Sequence, residues 1–301
     1  MIAQKTLTIA LLGNPNTGKS TLFNALTGLH QHVGNWPGKT VEKAEGFARL
    51  SDGRRIRIVD LPGTYALHAE SPEERIACEF LLRGEADAVI VVVDATNLAR
   101  NLYLVLQALE LTDKVVVALN MMDEVEAKGL KMDTQRLREL LGVPVVPMVA
   151  VKGEGVMEAL QTAVAVAEGV TATRPVQPRY GFLVETCVQK LLPHIQRVVN
   201  GQWQKAGRWL ALRVLEGDEL ALAWLAIGDG DVRRLPICRA QQTKGAGTEA
   251  VGNGHSPLQH RPHFLPFLPF HWHRPRQGDG SEVMLRQLDL QGAQKFLPQR
   301  R

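Results

Sequence analysis

The chain has 301 residues, 45% apolar and 22% charged, which suits about two soluble globular domains and excludes both a wholly disordered chain and a fibrous one. Its net charge of +4 comes from the tail: residues 229–301 carry 11 Lys and Arg against 6 Asp and Glu, so the balance does not point to nucleic-acid binding. The three cysteines, Cys78, Cys187 and Cys238, form no C-x-x-C pair, and no run approaches the roughly 20 apolar residues that span a bilayer. Nothing near Lys5 looks like a targeting core, so the chain reads as soluble and from a reducing compartment.

In chain order, Thr6 to Leu12 reads as a buried strand. Gly13-Asn14-Pro15-Asn16-Thr17-Gly18-Lys19-Ser20 then fits G-x-x-x-x-G-K-[ST], the phosphate-binding P-loop, and Lys19 to Gly28 reads as a helix. Strand, loop and helix in that order are the context the motif needs. The glycines let backbone N–H groups converge on an anion, Lys19 adds a charge near the β- and γ-phosphates, and the Ser20 hydroxyl can bind Mg²⁺. His30 to Lys39 is polar, with Gly34, Pro37 and Gly38, and is expected to be a mobile loop. Within Gly38-Lys39-Thr40-Val41, Thr40 can offer its hydroxyl to Mg²⁺ and its N–H to a γ-phosphate, which would make the loop a switch; Thr40 could equally just start a strand.

Val41 to Leu50 and Arg55 to Asp60 read as strands joined by the turn Ser51-Asp52-Gly53. Asp60-Leu61-Pro62-Gly63 follows. After a P-loop, such an Asp holds Mg²⁺, usually through water, and the Gly63 N–H can meet the γ-phosphate. Thr64 stands where many GTPases place a Gln that orients the attacking water; Thr is shorter, so slow intrinsic hydrolysis is expected. Ser71-Pro72-Glu73-Glu74 starts a helix that should run to about Arg83.

Ala88 to Val93 is a continuous apolar run, as in a parallel strand buried on both faces, and Asn101 to Leu111 has a helical period. Lys114 to Leu119 is a second such strand and ends in Asn120-Met121-Met122-Asp123. A carboxylate at Asp123 can accept from guanine N1–H and its amino group. Adenine offers a lone pair there, and an unmatched buried polar group costs roughly 1–3 kcal/mol, so N-x-x-D selects guanine. Asp133 to Leu141 reads as a helix, Val143 to Val149 as a strand and Val156 to Glu168 as a helix. Strands alternating with helices specify an α/β three-layer domain with a mostly parallel sheet, with the unusual loops at the strand C-terminal ends.

Thr171 to Pro178 contains two prolines and reads as a linker, Tyr180 to Ile227 as a small all-α domain, and the Pro-, Gly-, Gln- and His-rich stretch from Asp229 as disordered. The expected domains are 1–170, 171–228 and the tail 229–301. His260-x-x-His263 and His271-x-His273 have metal-ligand spacings but no neighbouring Cys or carboxylate completes a set.

Gly13 to Thr21 (GNPNTGKST), Val33 to Gly38 (VGNWPG), Thr40-Val41-Glu42, Asp60 to Tyr65 (DLPGTY) and Leu119 to Asp123 (LNMMD) together resemble the cytosolic N-terminal part of the prokaryotic ferrous-iron transport protein B (FeoB) family. The resemblance covers about residues 5 to 228. It implies a Ras-like P-loop GTPase domain followed by a helical nucleotide-dissociation inhibitor. It implies phosphate binding by Asn16 to Thr21, with Asn14 in the same loop, and Mg²⁺ bound by Ser20 and Thr40 with Asp60 in its outer shell. Guanine would be read by Asn120 and Asp123, beside Met121, and contacted by the backbone of Ala150, Val151 and Lys152. Asn16 matches the P-loop Asn that holds K⁺ in potassium-activated relatives, with carbonyls around Gly34, Asn35 and Trp36 completing that site. Lys19, Thr40, Gly63 and Asn16 would carry catalysis. The family continues into a membrane permease that is absent here, so the implied place is the cytoplasmic face of the cell membrane. The implied partners are that permease and small accessory iron-transport proteins, with no nucleic acid and with self-association left open. The rival readings are a ribosome- or tRNA-associated P-loop GTPase and a nucleotide-binding module without hydrolysis.

Overall fold

The computed structural model describes residues 6–28, 31–68, 71–199 and 206–225. They fall into two compact units, with described residues 6–179 in the first and residues 180–199 and 207–225 in the second.

In the first unit, seven strands form one sheet: β1 (Thr8–Gly13), β2 (Gln31–Asn35), β3 (Glu42–Arg49), β4 (Arg55–Asp60), β5 (Ala88–Asp94), β6 (Val115–Asn120) and β7 (Val145–Pro147). Their spatial order is β2-β3-β4-β1-β5-β6-β7. The pairs from β4 to β7 are parallel, while β2 with β3 and β3 with β4 are antiparallel. The helices are α1 (Lys19–Thr27), α2 (Pro72–Leu82), α3 (Leu98–Leu111), α4 (Met122–Ala127), α5 (Thr134–Leu141) and α6 (Val156–Ala167).

The continuous apolar runs behave as their composition requires. Every residue of β1 and β6 is buried, and in β5 all but the final Asp94. Ile9, Leu11, Ile58 and Ile90 pack with Leu22 and Phe23 of α1 and Leu160 of α6 on one face. The alternate residues Ala10, Leu12, Val89 and Val91 are equally buried and turn to the opposite face, where α3 lies on β5 and β6. α2 starts as its sequence dictates: the Ser71 hydroxyl accepts from Glu74 N–H at 3.1 Å, Pro72 occupies the first turn, and Glu73 and Glu74 sit at the positive end.

Three expectations need correction. The stretch expected as a mobile loop contains strand β2, whose Gln31 to Asn35 pair with Gly46 to Glu42 of β3. His32 to Asn35 are exposed and the strand carries no apolar alternation, so the backbone ladder alone defines it. A short helix, α4, follows Asn120-Met121 where only a strand end was expected. The stretch 171–178 is not a free linker. Arg174 N–H donates to Gly142 O at 2.9 Å, Val176 N–H to Leu141 O at 3.0 Å, and the Thr173 hydroxyl to Asp113 O at 2.6 Å. Pro175 and Pro178 cannot donate, but Arg174 and Val176, on either side of Pro175, supply the N–H groups that dock the segment.

The second unit contains α7 (Phe182–Val198), α8 (Gly207–Glu216) and α9 (Glu219–Trp224). Val188, Leu191 and Ile195 of α7 are buried at helical spacing, as are Trp209, Leu210 and Leu212 of α8. Asp218 caps α9 by accepting from Leu220 and Ala221 N–H. The stretch expected to be disordered, with its histidine pairs, lies outside the described residues.

Candidate functional site

The sheet register brings the motif loops to one edge. Leu11 of β1 is level with Asp60 of β4 and with Ile90 of β5; Gly13 is level with Val92, and Asp94 with Asn120 of β6. The P-loop, Asp60 to Gly63, Asn120 to Asp123 and Ala150 to Lys152 therefore all leave the C-terminal edge of a parallel sheet.

The P-loop is a tight backbone ring. The Thr17 hydroxyl donates to Asn14 O at 2.9 Å across it. Asn16 is left-handed at φ 66°, a conformation Asn tolerates better than most residues, and it is exposed. Gly18 has φ 84°, and a Cβ there would lie 2.2 Å from Asn120 Nδ2, so no side chain fits. No side chain caps α1, so the N–H groups of its first turn open toward the loop, which makes an anion site. Lys19 Nζ is ion-paired with Asp60 Oδ1, both side chains almost fully buried, and the Ser20 hydroxyl donates to Asp60 Oδ2 at 3.5 Å. Burial pushes the Asp60 carboxyl above its ordinary range, against the pull of the Lys19 charge and the Lys19 and Ser20 hydrogen bonds. A buried carboxylate beside a hydroxyl is a hard-oxygen donor set that fits Mg²⁺.

Asn120 is only 4% exposed and ties two loops together. Its Nδ2 donates to Thr17 O and its Oδ1 accepts from Ala150 N–H, both at 2.9 Å. Met121 is left-handed at φ 64° and starts α4, which holds Asp123 in its first turn. Asp123 Oδ2 meets Lys152 Nζ at 3.0 Å, and that partner holds the carboxyl below its ordinary value. Val151, between Ala150 and Lys152, is 78% exposed.

The two segments bordering the phosphate end differ. Thr40 is exposed. Gly34 and Asn35 lie in β2, and Trp36 N–H donates to Val41 O at 2.9 Å. The Trp36 ring is buried edge-on against Phe80 of α2, with centroids 5.7 Å apart. Gly63 sits close to Pro15, and Thr64 N–H donates to Gly13 O at 3.2 Å. Thr64 is 3% exposed and its hydroxyl donates to Ala66 O at 2.8 Å, so that side chain is committed to its own loop.

Sequence reasoning passed over Gln107 and Tyr103 and expected His68, near the switch loops, to be solvated; together the three hold the next stretch. Gln107 Oε1 accepts from Leu67 N–H at 2.8 Å, its Nε2 lies 3.1 Å from both Tyr103 Oη and His68 Nε2, and those two atoms are 2.6 Å apart. A signal existed: Gln107 interrupts the apolar run from Leu104 to Leu109. Among the described residues no His, Cys, Asp or Glu cluster could hold a metal ion by itself, and no helix is long and apolar enough to cross a membrane.

Residues 7–163 match the protein family described as "Ferrous iron transport protein B". The chain is 46% identical over 230 residues to a "Fe(2+) transporter FeoB" of Salmonella choleraesuis (strain SC-B67), covering 73% of this chain and 28% of that protein. It is 43% identical over 213 residues to a "Fe(2+) transport protein A/Fe(2+) transporter FeoB fusion protein" of Porphyromonas gingivalis (strain ATCC BAA-308 / W83), covering 70% of this chain and 25% of that protein. Among solved structures, the cytosolic domain of the T. maritima FeoB iron transporter in a GDP form is similar with a TM-score of 0.68 and 37% identity, over 79% of this chain and 96% of that one.

Proposed function

The chain belongs to the ferrous iron transport protein B family, and from that membership we propose that it is the GTP-binding, GTP-hydrolysing regulatory part of a ferrous-iron transporter. The reading rests on one observation above the others: a buried Asn120 joins the phosphate loop to the loop that follows β7, beside Asp123. That junction makes phosphate and base recognition one rigid site. The family match leaves the ribosome- or tRNA-associated alternative without support.

In this reading Lys19 and the first-turn N–H groups of α1 take the β- and γ-phosphates. Ser20, Thr40 and Asp60 would hold Mg²⁺, which when bound neutralises charge between the phosphates. Asp123 reads guanine, Asn120 braces it, and the backbone of Ala150 to Lys152 borders it. The Thr40 contact exists only with a triphosphate, so the β2–β3 hairpin is the switch. With the Thr64 hydroxyl turned to Ala66 O, hydrolysis is expected to be slow; Asn16 and carbonyls of Gly34 to Trp36 would hold K⁺, which would supply charge where other GTPases place an arginine. Gly63 meets the γ-phosphate through its N–H.

The chain spans about a quarter of the length of its curated relatives, so iron passage belongs to a permease outside this sequence. The chain would sit at the cytoplasmic face of the cell membrane, with the helical unit slowing nucleotide release. The fusion in the P. gingivalis relative supports a small accessory iron-transport protein as a further partner. The test is calorimetry with GDP, a GTP analogue and ADP, then GTP turnover in KCl and NaCl at equal ionic strength for wild type and Asn16→Ala. Guanine selectivity and a K⁺ advantage that the variant loses are expected. Equal binding of ADP and GDP would overturn the reading; equal rates in both salts would remove K⁺ from it.

A further inference from the structure

We propose that Gln107 is a positioning residue for GTP hydrolysis: its buried amide fixes the backbone from Thr64 to His68, and with it the peptide groups of Gly63 and Thr64 beside the phosphate loop. This rests on the GTPase reading above.

The need for such a residue follows from Thr64. Its hydroxyl is buried and donates to Ala66 O, so it is not presented to a water molecule. Whatever aligns the attacking water from this segment must then be backbone, and backbone is only as well placed as its anchors. One anchor is Thr64 N–H on Gly13 O at 3.2 Å; the other is Leu67 N–H on Gln107 Oε1 at 2.8 Å. Between them lie only Tyr65 and Ala66. Moving the second anchor moves the first.

Gln107 is built for that task. It is 3% exposed on α3, in a position where a leucine would add packing and remove the cost of burying an amide. Both ends of the amide are in use. Because Oε1 takes Leu67 N–H, the NH₂ end is the one that faces Tyr103 Oη and His68 Nε2, so His68 presents a lone pair there. The amide cannot flip without facing Leu67 N–H with another donor. Two turns earlier on α3, the Arg100 guanidinium lies 4.6 Å from the centroid of the Tyr65 ring. Arg100, Tyr103 and Gln107 share one face at i, i+3 and i+7, so α3 is the rail on which this segment rests.

The experiment compares wild type, Gln107→Leu, Gln107→Glu and Tyr103→Phe in the full chain. For Gln107→Leu, GDP affinity and the KM for GTP should stay within about twofold, while kcat falls on the order of 10- to 100-fold, as a misplacement near 1 Å would produce. Gln107→Glu keeps an acceptor for Leu67 N–H and should recover part of the rate. Tyr103→Phe keeps the Gln107–Leu67 bond and should fall between the two. Amide exchange over residues 64–68 should quicken in Gln107→Leu while the P-loop stays protected. Unchanged kcat in Gln107→Leu, or GDP affinity falling in step with kcat, would overturn the inference. Were Gln107→Leu not to fold, Tyr103→Phe with wild-type kcat would overturn it. A wild type without GTP turnover would sink the GTPase reading and this inference with it, whereas turnover that Gln107→Leu leaves intact would sink the inference alone.

Discussion

Asn120→Ala separates a base-reading side chain from a structural brace. If Asn120 served only guanine, its removal would leave the nucleotide-free protein untouched. The geometry predicts otherwise. The alanine leaves Thr17 C=O and Ala150 N–H without their 2.9 Å partners, in residues that are 2% and 4% exposed. Each buried group left unsatisfied costs roughly 1–3 kcal/mol, so the pair should cost on the order of 2–4 kcal/mol once some water enters. At roughly 2–4 °C per kcal/mol for a unit of this size, the midpoint should fall on the order of 10 °C. The assay is thermal unfolding by circular dichroism in chelator and without nucleotide, beside a GDP titration. Asp123→Ala is the control, because its carboxylate is partly exposed and touches only Lys152 and the N–H of Glu124. Both variants should lose GDP, but only Asn120→Ala should lose apo stability. An Asn120→Ala protein that melts within about 1–2 °C of wild type would refute the brace.

Thr40→Ala should spare GDP affinity and lower both GTP-analogue affinity and turnover; equal loss for GDP would make Thr40 structural. Guanine binding should be flat from about pH 8 to pH 5, since Lys152 holds the Asp123 carboxyl below its ordinary range. For a carboxyl so depressed, the contribution is present above the unfolded value and lost only as pH falls through the folded one, so a midpoint near pH 6 in GDP titrations would contradict the assignment. GDP and Mg²⁺ should bind with positive coupling of at least about fivefold in isothermal titrations, the lower end of ordinary coupling energies, and independent binding would count against Asp60 as a shared partner.

The sheet was legible because burial on both faces leaves a plain mark: Ala88 to Val93 and Val115 to Leu119 are continuous apolar runs, and both became central strands. The site loops were legible because Gly18, Lys19 and Asp60 are constrained by chemistry at fixed spacing. β2 was not, since an edge strand needs only backbone partners and its side chains face water. The docked stretch 171–178 was hidden for the same reason: its holds are backbone groups of Gly142 and Leu141. The link from Gln107 to Leu67 spans 40 residues and carries no local pattern beyond one amide interrupting the apolar run from Leu104 to Leu109. Contacts of that kind are set by tertiary register, which no periodicity records.

The charges proposed to recognise the ligand are paired with one another in this site. Lys19 is held by Asp60, and Asp123 by Lys152. A nucleotide therefore exchanges partners instead of filling vacant ones. The two exchanges are unequal. Lys152 and Asp123 are each at least a third exposed, so water screens both before and after, and separating them costs little. Lys19 and Asp60 are about a tenth exposed, and removing one partner from such a pair leaves a buried charge behind. When phosphate takes Lys19, Asp60 keeps the Ser20 hydroxyl but loses its cation, in a place where burial already pushes its carboxyl toward the neutral form. On the proposed function, a divalent cation held near Asp60 and Ser20 would restore the positive charge that Asp60 loses. Nucleotide and Mg²⁺ would then each remove a cost that the other creates, and the Lys19–Asp60 pair would be the source of their coupling.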